Sequence, residues 1–180
     1  TVQPGSVATV GYTFYDMDGI PVLTSDGNLA QTYYEKGIPI GYSNPLSVEA
    51  GQTYKAGIVP VTVYYPEGSE FALFSNEMDS ISDEIIGMKE NGKKTIQFPF
   101  AGSMQMERST EQIQRVANIT KLESGYKMLL EFSDSLPVGI DNVTPVTAQR
   151  WVTVTNKTAD NATLGYGYSS VEISVMQIAG

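Results

Sequence analysis

The chain has 180 residues, enough for one domain or for one domain with a modest insertion. Apolar residues make up 41% of it, a fraction that favours a packed globular protein over a disordered one. The formal net charge of −9 repels a phosphate backbone, so nucleic-acid binding is not expected.

Two residue types are missing, and their absence restricts the possible chemistry. Without Cys, the chain has no disulfide, thiolate nucleophile or zinc-thiolate site. Without His, it has no imidazole base, Ser-His-Asp triad or His-ligated metal. Carboxylate chemistry, or catalysis by shape and hydrogen bonding, remains possible. The sequence implies no metal and no organic cofactor.

Features of the sequence that bear on location favour export. No apolar run is long enough to span a bilayer. The start lacks the basic and apolar segments of a secretory signal, so we expect any signal or anchor to lie outside this sequence. Four sites match the N-glycosylation acceptor pattern N-x-[ST]: Asn118, Asn142, Asn156 and Asn161. Chance matches in a Thr-rich segment are an equal alternative, but the composition favours an exported, cell-surface protein.

The first half of the chain reads mainly as strands. Residues 6–16 alternate in polarity and end in the turn cluster 16–19. Residues 57–65 and 70–75 are rich in β-branched and aromatic side chains and also predict strands. Residues 28–37 predict a helix that Gly37 ends.

The clearest helix is predicted near residues 80–88. Ser80 and Asp83 resemble a capping box, and Ile81, Ile85 and Met88 share one face. Gly87 lies in the closing turn. The dipeptide Asn91-Gly92 then reverses the chain into a strand over 93–100.

The second half predicts a third helix and further strands. Residues 101–125 are more polar and show no sustained strand, but 109–118 carry a cap pattern and predict a helix. Strands are predicted over 126–132, 150–156 and 170–178, with a hairpin turn at Asp160-Asn161. Few short helices among many strands, out of βαβ order, predict an antiparallel α+β fold.

Three segments carry a family resemblance. The segment IGMKENGKKTIQFPF (86–100) resembles the hallmark of the FKBP-type peptidyl-prolyl isomerases, in which a short helix leads through Gly-Met-Lys and a turn into a strand. The stretch VQPGSVATVGYTFYDMDGIPV (2–22) is similar to the first long strand of that family, and SVEISVMQI (170–178) to its closing strand. The resemblance implies an FKBP-like antiparallel half-barrel packed on a short helix.

The resemblance also implies a division of the chain. The SlyD-like branch of the family inserts a small chaperone domain in the flap, and this sequence is longer than a minimal member at that place. We therefore predict an FKBP-like domain over 1–103 plus 165–180 and an inserted β-rich unit over 104–164. Where that branch has an Asn-His-Pro-Leu-Ala-Gly motif, this sequence reads LGYGYSS (164–170).

The family resemblance implies a substrate pocket and a mechanism. Family members hold a twisted Xaa-Pro amide in an apolar cradle, which lowers an uncatalysed barrier of about 18–20 kcal/mol without any acid or base. The matching pocket positions are Tyr12, Val22, Leu23, Met78, Ile81 and Phe98. Val22-Leu23 replaces the family's Phe-Asp, Glu77-Met78 replaces its Val-Ile, and its pocket Tyr falls near residues 103–105. Whether catalysis is retained is left open.

Two functions follow as expectations. The first is a peptidyl-prolyl isomerase-like folding catalyst or chaperone that binds extended or unfolded exported polypeptides with Xaa-Pro bonds. The alternative is a non-catalytic cell-surface binding or adhesion domain on the same scaffold. If the chain is an isomerase, we expect an apolar cleft at Ile81. If it is a structural domain, we expect that cleft to be filled by its own side chains. If it is a chaperone, we expect an apolar groove on 104–164.

The cluster 16–19 is interpreted as a solvated hairpin turn rather than a calcium loop, because no Glu closes the loop at Gly27.

Overall fold

The computed structural model describes residues 1–65, 67–138 and 142–179, without the side chains of 65 and 135–145. Within these ranges it contains twelve strands and three α-helices. The strands are β1 Val7–Asp16, β2 Pro21–Thr24, β3 Gly41–Ser43, β4 Leu46–Glu49, β5 Ile58–Tyr65, β6 Glu70–Phe74, β7 Lys93–Gln97, β8 Gln105–Ser109, β9 Lys127–Val138, β10 Asn142–Lys157, β11 Asn161–Gly165 and β12 Tyr168–Ala179. The helices are α1 Gly27–Glu35, α2 Ser75–Glu84 and α3 Thr110–Ala117, and a 3₁₀ turn covers Ala101–Ser103.

The strands form one mixed sheet that curls into a half-barrel, so the predicted α+β class and half-barrel shape are confirmed. The strand order is β7-β12-β1-β2-β3-β5-β6-β10-β11-β8, with β4 beside β1 and β9 beside β10. The expected antiparallel arrangement holds for the other strand pairs that the structure describes, but β2 pairs with β3 and β6 with β10 in parallel, so the sheet is mixed. The β6–β10 pairing rests on a single pair, Gln149 opposite Phe71.

Strand β1 organises the first part of the sheet. It pairs along its length with β12, and its other edge pairs first with β4 and then with β2. The side chains of Ala8, Val10, Tyr12 and Phe14 all point to one face and are at most 3% exposed. This face forms the centre of the largest buried apolar cluster, which draws on residues 2–101 and 168–175 and is called the main core below.

Helix α2 covers the main core, but it begins five residues earlier than the predicted capping box. The Glu77 carboxylate accepts a hydrogen bond from the Phe74 backbone N–H at 2.9 Å and so satisfies the helix start. Ser80 lies inside the helix, where its hydroxyl donates to the Asn76 carbonyl at 3.0 Å. Ile81 and Ile85 are fully buried, as their shared face predicts.

Strands β8–β11 and helix α3 pack around a second apolar cluster, which includes Ile113, Leu122 and Val152. Ser109 caps α3 as predicted, since its hydroxyl accepts from the Gln112 backbone N–H at 3.1 Å. The short strand β8 lies in a stretch where no sustained strand was predicted. The division into an FKBP-like domain and an inserted unit over 104–164 stays a prediction; we call residues 104–164 the inserted segment.

The chain enters and leaves the inserted segment at one crossing point. The Tyr166 backbone N–H donates to the Met104 carbonyl at 2.9 Å. At Gly167, a Cβ atom would lie 2.1 Å from the Ala101 carbonyl oxygen, a distance that no side chain can adopt. Gly167 is therefore required for the close backbone approach that joins the two parts of the chain.

Candidate functional site

The structure brings the six predicted pocket residues together in the main core. They come from positions spread between 12 and 98, yet each is between 0 and 4% exposed. The residues are Tyr12, Val22, Leu23, Met78, Ile81 and Phe98. Their assignment as a substrate pocket stays a prediction, and their burial shows that the described side chains themselves fill the space between sheet and helix.

Aromatic rings account for much of this filling. The Phe14 ring stacks on Phe98 at a centroid distance of 6.2 Å and meets the edge of Tyr12 at 5.6 Å. Tyr168 packs against Phe14 at 6.4 Å and against Phe71 at 6.3 Å. Rings packed at these distances are in mutual contact, so a ligand would have to displace them.

The Tyr12 hydroxyl is a polar group inside this apolar region. It is buried and forms no hydrogen bond of standard geometry with the described residues, although the Ser43 hydroxyl lies near enough to influence it. Burial raises the pKa of Tyr12 to about 12, against a smaller lowering contribution from Ser43. The Tyr12 hydroxyl is therefore neutral at physiological pH. Its burial in the apolar core without a hydrogen bond of standard geometry is unfavourable for the stability of the fold.

A buried ion pair lies at the edge of the predicted pocket. The Arg150 guanidinium and the Glu77 carboxylate, both fully buried, form two hydrogen bonds of 2.8 and 2.7 Å. The same guanidinium donates from Nε to the Tyr166 carbonyl at 2.7 Å and from Nη1 to the Ala72 carbonyl at 3.1 Å. Charges taken out of water need such complete pairing, because an unpaired buried ion is strongly unfavourable.

The Arg150 side chain is also held between aromatic rings. Its guanidinium carbon lies 3.6 Å from the Tyr168 ring centroid and 4.7 Å from that of Phe74. Burial is the largest single influence and disfavours the charged form, but the Glu77 carboxylate and the Tyr168 and Tyr166 side chains together outweigh it, so the pKa of Arg150 lies above its usual value. Since Arg150 belongs to β10 and Glu77 to α2, the pair fastens the inserted segment onto the helix that closes the main core.

A second ionic link joins the inserted segment to the β1–β2 turn. The Lys127 ammonium donates to Asp16 at 2.8 Å, to Asp18 at 3.0 Å and to the Thr153 hydroxyl at 3.0 Å. Burial lowers the pKa of Lys127, but the two carboxylates more than compensate and raise it overall. The interpretation of 16–19 as a solvated turn is thus wrong for Asp16, which is only 4% exposed and ion-paired.

The inserted segment carries a shallow apolar groove between α3 and its sheet. The groove has a volume of about 110 Å³, and beside the polar Arg108 and Gln112 its lining is apolar: Met106, Ile113, Val116, Met128, Leu130 and Leu164. Val116 is 60% exposed at the rim of this groove. Two methionines give the groove an adaptable surface.

Three predicted glycosylation acceptors are accessible. Asn118, Asn156 and Asn161 are exposed, and Asn118 follows α3 in a left-handed conformation with φ of 56°. The side chain of Asn142 lies outside the described residues. Modification at these positions stays a prediction.

Another cavity lies on the opposite face of the half-barrel sheet from the main core. Its volume is about 670 Å³ and it is lined by polar side chains of neighbouring strands, among them Lys93, Thr95, Glu172 and Ser174. Of the six predicted pocket residues, only Tyr12 touches it. Among the described residues, no group of three or more carboxylates is arranged to hold a metal ion.

No protein-family model matches the chain, and no curated protein matches it either. In the part of the chain that the structure describes, no helix has the length and apolar character needed to cross a membrane.

Sequence patterns did not identify Arg150, Glu77 or Lys127 as members of ionic contacts. Arg150, in a strand otherwise rich in Val, Thr and Trp, was the one local signal available, since a buried strand position rarely carries a charge.

Proposed function

We propose that the chain is an FKBP-like polypeptide-binding protein of the chaperone type, in which the isomerase cleft is closed by its own side chains. The scaffold part of the proposal is supported by the order β7-β12-β1-β2 around α2, with the inserted segment between β7 and β12. The segments on which the resemblance to the FKBP family rests, 86–100, 2–22 and 170–178, contain β7, β1 and most of β12.

The closed cleft is supported by the burial of all six predicted pocket residues. An isomerase of this family has to admit an Xaa-Pro segment into an apolar cradle. Here the ring packing around Phe14 and the Arg150–Glu77 pair occupy the described space between sheet and helix. We therefore expect weak or absent turnover.

The groove on the inserted segment favours chaperone-type binding over the alternative of a non-catalytic adhesion domain. Its methionines and the exposed Val116 suit extended apolar segments of unfolded chains. The alternative keeps the closed cleft but predicts no affinity for unfolded polypeptide. Exposure of Asn118, Asn156 and Asn161 supports the further proposal that the protein is exported and displayed at the cell surface.

Isomerase activity is tested with a proline-limited refolding reaction. We expect the purified protein to leave the slow phase unchanged, while an active isomerase added as a positive control accelerates it. If the protein accelerates the slow phase and Tyr12→Ala abolishes the effect, the cleft opens in solution and the chain is a working isomerase.

Chaperone-type binding is tested by suppression of aggregation of a chemically unfolded client protein. We expect wild-type protein to reduce aggregation and Val116→Lys to lose most of that effect, because the substitution replaces the most exposed apolar side chain of the groove by a charged one. The matched control is Val7→Lys, which places the same charge on another exposed valine, 41% exposed in β1. If wild-type protein fails to suppress aggregation and to accelerate refolding, the adhesion alternative is favoured.

A further inference from the structure

The half-barrel and the inserted segment meet at a narrow junction. Strands β6 and β10 continue the sheet from one part to the other through one residue pair, Phe71 opposite Gln149. Inside the inserted segment, by contrast, β10 pairs with β9 continuously from Asn142 to Thr153. Because so little backbone pairing joins the two parts, side-chain contacts such as those of Arg150 decide whether the junction stays closed.

The junction is also incompletely packed. A cavity of about 240 Å³ lies between the β1–β2 turn, with Met17 and Asp18, and the strands of the inserted segment, with Trp151 and Thr153. The buried indole N–H of Trp151 has no hydrogen-bond partner among the described residues. Voids and unpaired buried donors both lower the stability of the closed arrangement. The two parts are therefore held less firmly here than the layers of a continuous core.

The Arg150 side chain crosses this junction and ends at the edge of the predicted pocket. Arg150 belongs to β10, yet its guanidinium pairs with Glu77, which directly precedes the pocket residue Met78 on α2. The guanidinium carbon also lies 3.6 Å from the centroid of the Tyr168 ring, and that ring packs on Phe14. One side chain of the inserted segment thus contacts both the helix and the ring cluster that close the cleft.

The chemistry of the Arg150–Glu77 pair suits a closure that can be released. Replacing a buried ion pair by apolar side chains of similar volume is often neutral or stabilising, because the pair has to offset the lost hydration of both charges. Stability alone therefore does not account for an ion pair at this place. When the pair separates, both charges regain their hydration, whereas an apolar contact would expose its surface to water on opening.

We propose that the Arg150–Glu77 pair is an autoinhibitory contact, which keeps the cleft between α2 and the sheet closed and opens it when the pair separates. The identity of this cleft as an isomerase-type pocket rests on the proposed function, but its closure by the pair does not. In the open state Met78 is accessible to solvent, while the rest of the main core, including Val10 on β1, stays closed.

The first test uses a single reporter thiol, which the absence of Cys from the chain allows. Met78→Cys places the thiol in the cleft, and Val10→Cys places it in the main core outside the predicted pocket; both native side chains are at most 2% exposed. Labelling with iodoacetamide in the absence of denaturant is followed by mass spectrometry. We expect the thiol at position 78 to react at least about tenfold faster than the thiol at position 10, because it requires only local opening.

The second test removes the ion pair from the Met78→Cys protein. Glu77→Gln together with Arg150→Met leaves no unpaired charge, and labelling is expected to accelerate at least about tenfold. The matched control is Val175→Ala, which removes a fully buried side chain from β12 and destabilises the whole fold without touching the pair. It is expected to change the labelling rate at position 78 by under about twofold, since the open state keeps that part of the core.

Equal labelling rates at positions 78 and 10 would overturn the proposal, because the cleft would then open only when the whole protein unfolds. This comparison needs no substitution in the pair and holds even if the pair variant does not fold. Equal acceleration by Val175→Ala and by removal of the pair would also overturn it. The proline-limited refolding assay, run on the pair variant, tests the proposed function separately: rapid labelling without faster refolding would retain the autoinhibitory contact and count against an isomerase-type cleft.

Discussion

The buried pair Arg150–Glu77 gives the sharpest prediction about how the two parts of the chain hold together. Both side chains are fully buried, and the Arg150 guanidinium donates four hydrogen bonds. Glu77→Gln would leave an uncompensated buried cation, and Arg150→Met an uncompensated buried carboxylate. Each single substitution is expected to lower the free energy of unfolding by about 3–5 kcal/mol.

The double variant separates the pair from its surroundings. Because Glu77→Gln together with Arg150→Met leaves no unpaired charge, its cost is expected to be smaller than the sum of the two single costs by about 2 kcal/mol or more. Urea unfolding is followed by circular dichroism and by fluorescence of Trp151, which is the single tryptophan of the chain and adjoins Arg150.

An exposed ion pair supplies the matched control. Glu111 and Arg115 on α3 are also bridged, at 3.0 Å, but their side chains are 84% and 74% exposed. Glu111→Gln and Arg115→Met are expected to change the free energy of unfolding by at most about 0.5 kcal/mol. A cost below about 1 kcal/mol for Glu77→Gln, or additive costs in the buried double variant, would refute the reasoning that the pair is desolvated and coupled.

Four further predictions concern the core and the junction. Ile81→Ala is expected to lower the free energy of unfolding by about 2–5 kcal/mol, whereas Ile86→Ala, 39% exposed, should change it by under about 0.5 kcal/mol; equal effects in urea titrations would contradict the assigned core. Tyr12→Phe is expected to preserve stability at pH 7, because it removes a buried hydroxyl without a standard partner. Since burial raises the pKa of Tyr12 from 10.0 to about 12, the unfolded chain ionises first, and the free energy of unfolding is unaffected by this group below pH 10 and falls as the pH rises from 10 through 12. Unfolding free energies measured against pH should therefore fall less steeply above pH 10 in Tyr12→Phe. Lys127→Met is expected to cost about 1–2 kcal/mol by removing the cation that pairs the buried Asp16, and a wild-type level of stability would show that the link is immaterial. Gly167→Ala is expected to abolish folding or to separate unfolding into two transitions, since its Cβ would overlap the Ala101 carbonyl; a single unshifted transition would contradict that contact.

The sequence determined the local elements where the controlling interactions are short in range. Alternation in 6–16, the Ser109 cap and the conformation-setting Gly87 and Asn91 each predicted an element that the structure contains. The predicted start of α2 at Ser80 is wrong, because the helix begins at Ser75 and its N-cap residue, Phe74, carries no capping side chain that a sequence pattern could detect. The carboxylate of Glu77, itself oriented by a distant arginine, favours the earlier start.

The tertiary structure alone decided the character of the site. The six predicted pocket residues could be identified by resemblance, but whether they line a cleft or fill a core depends on the rings that surround them, such as Phe14 and Tyr168. The partner of Glu77 lies 73 residues away on a strand of the inserted segment. No periodicity or spacing encodes such a contact, because it arises only when the sheet brings β10 beside β6 and removes both charges from water.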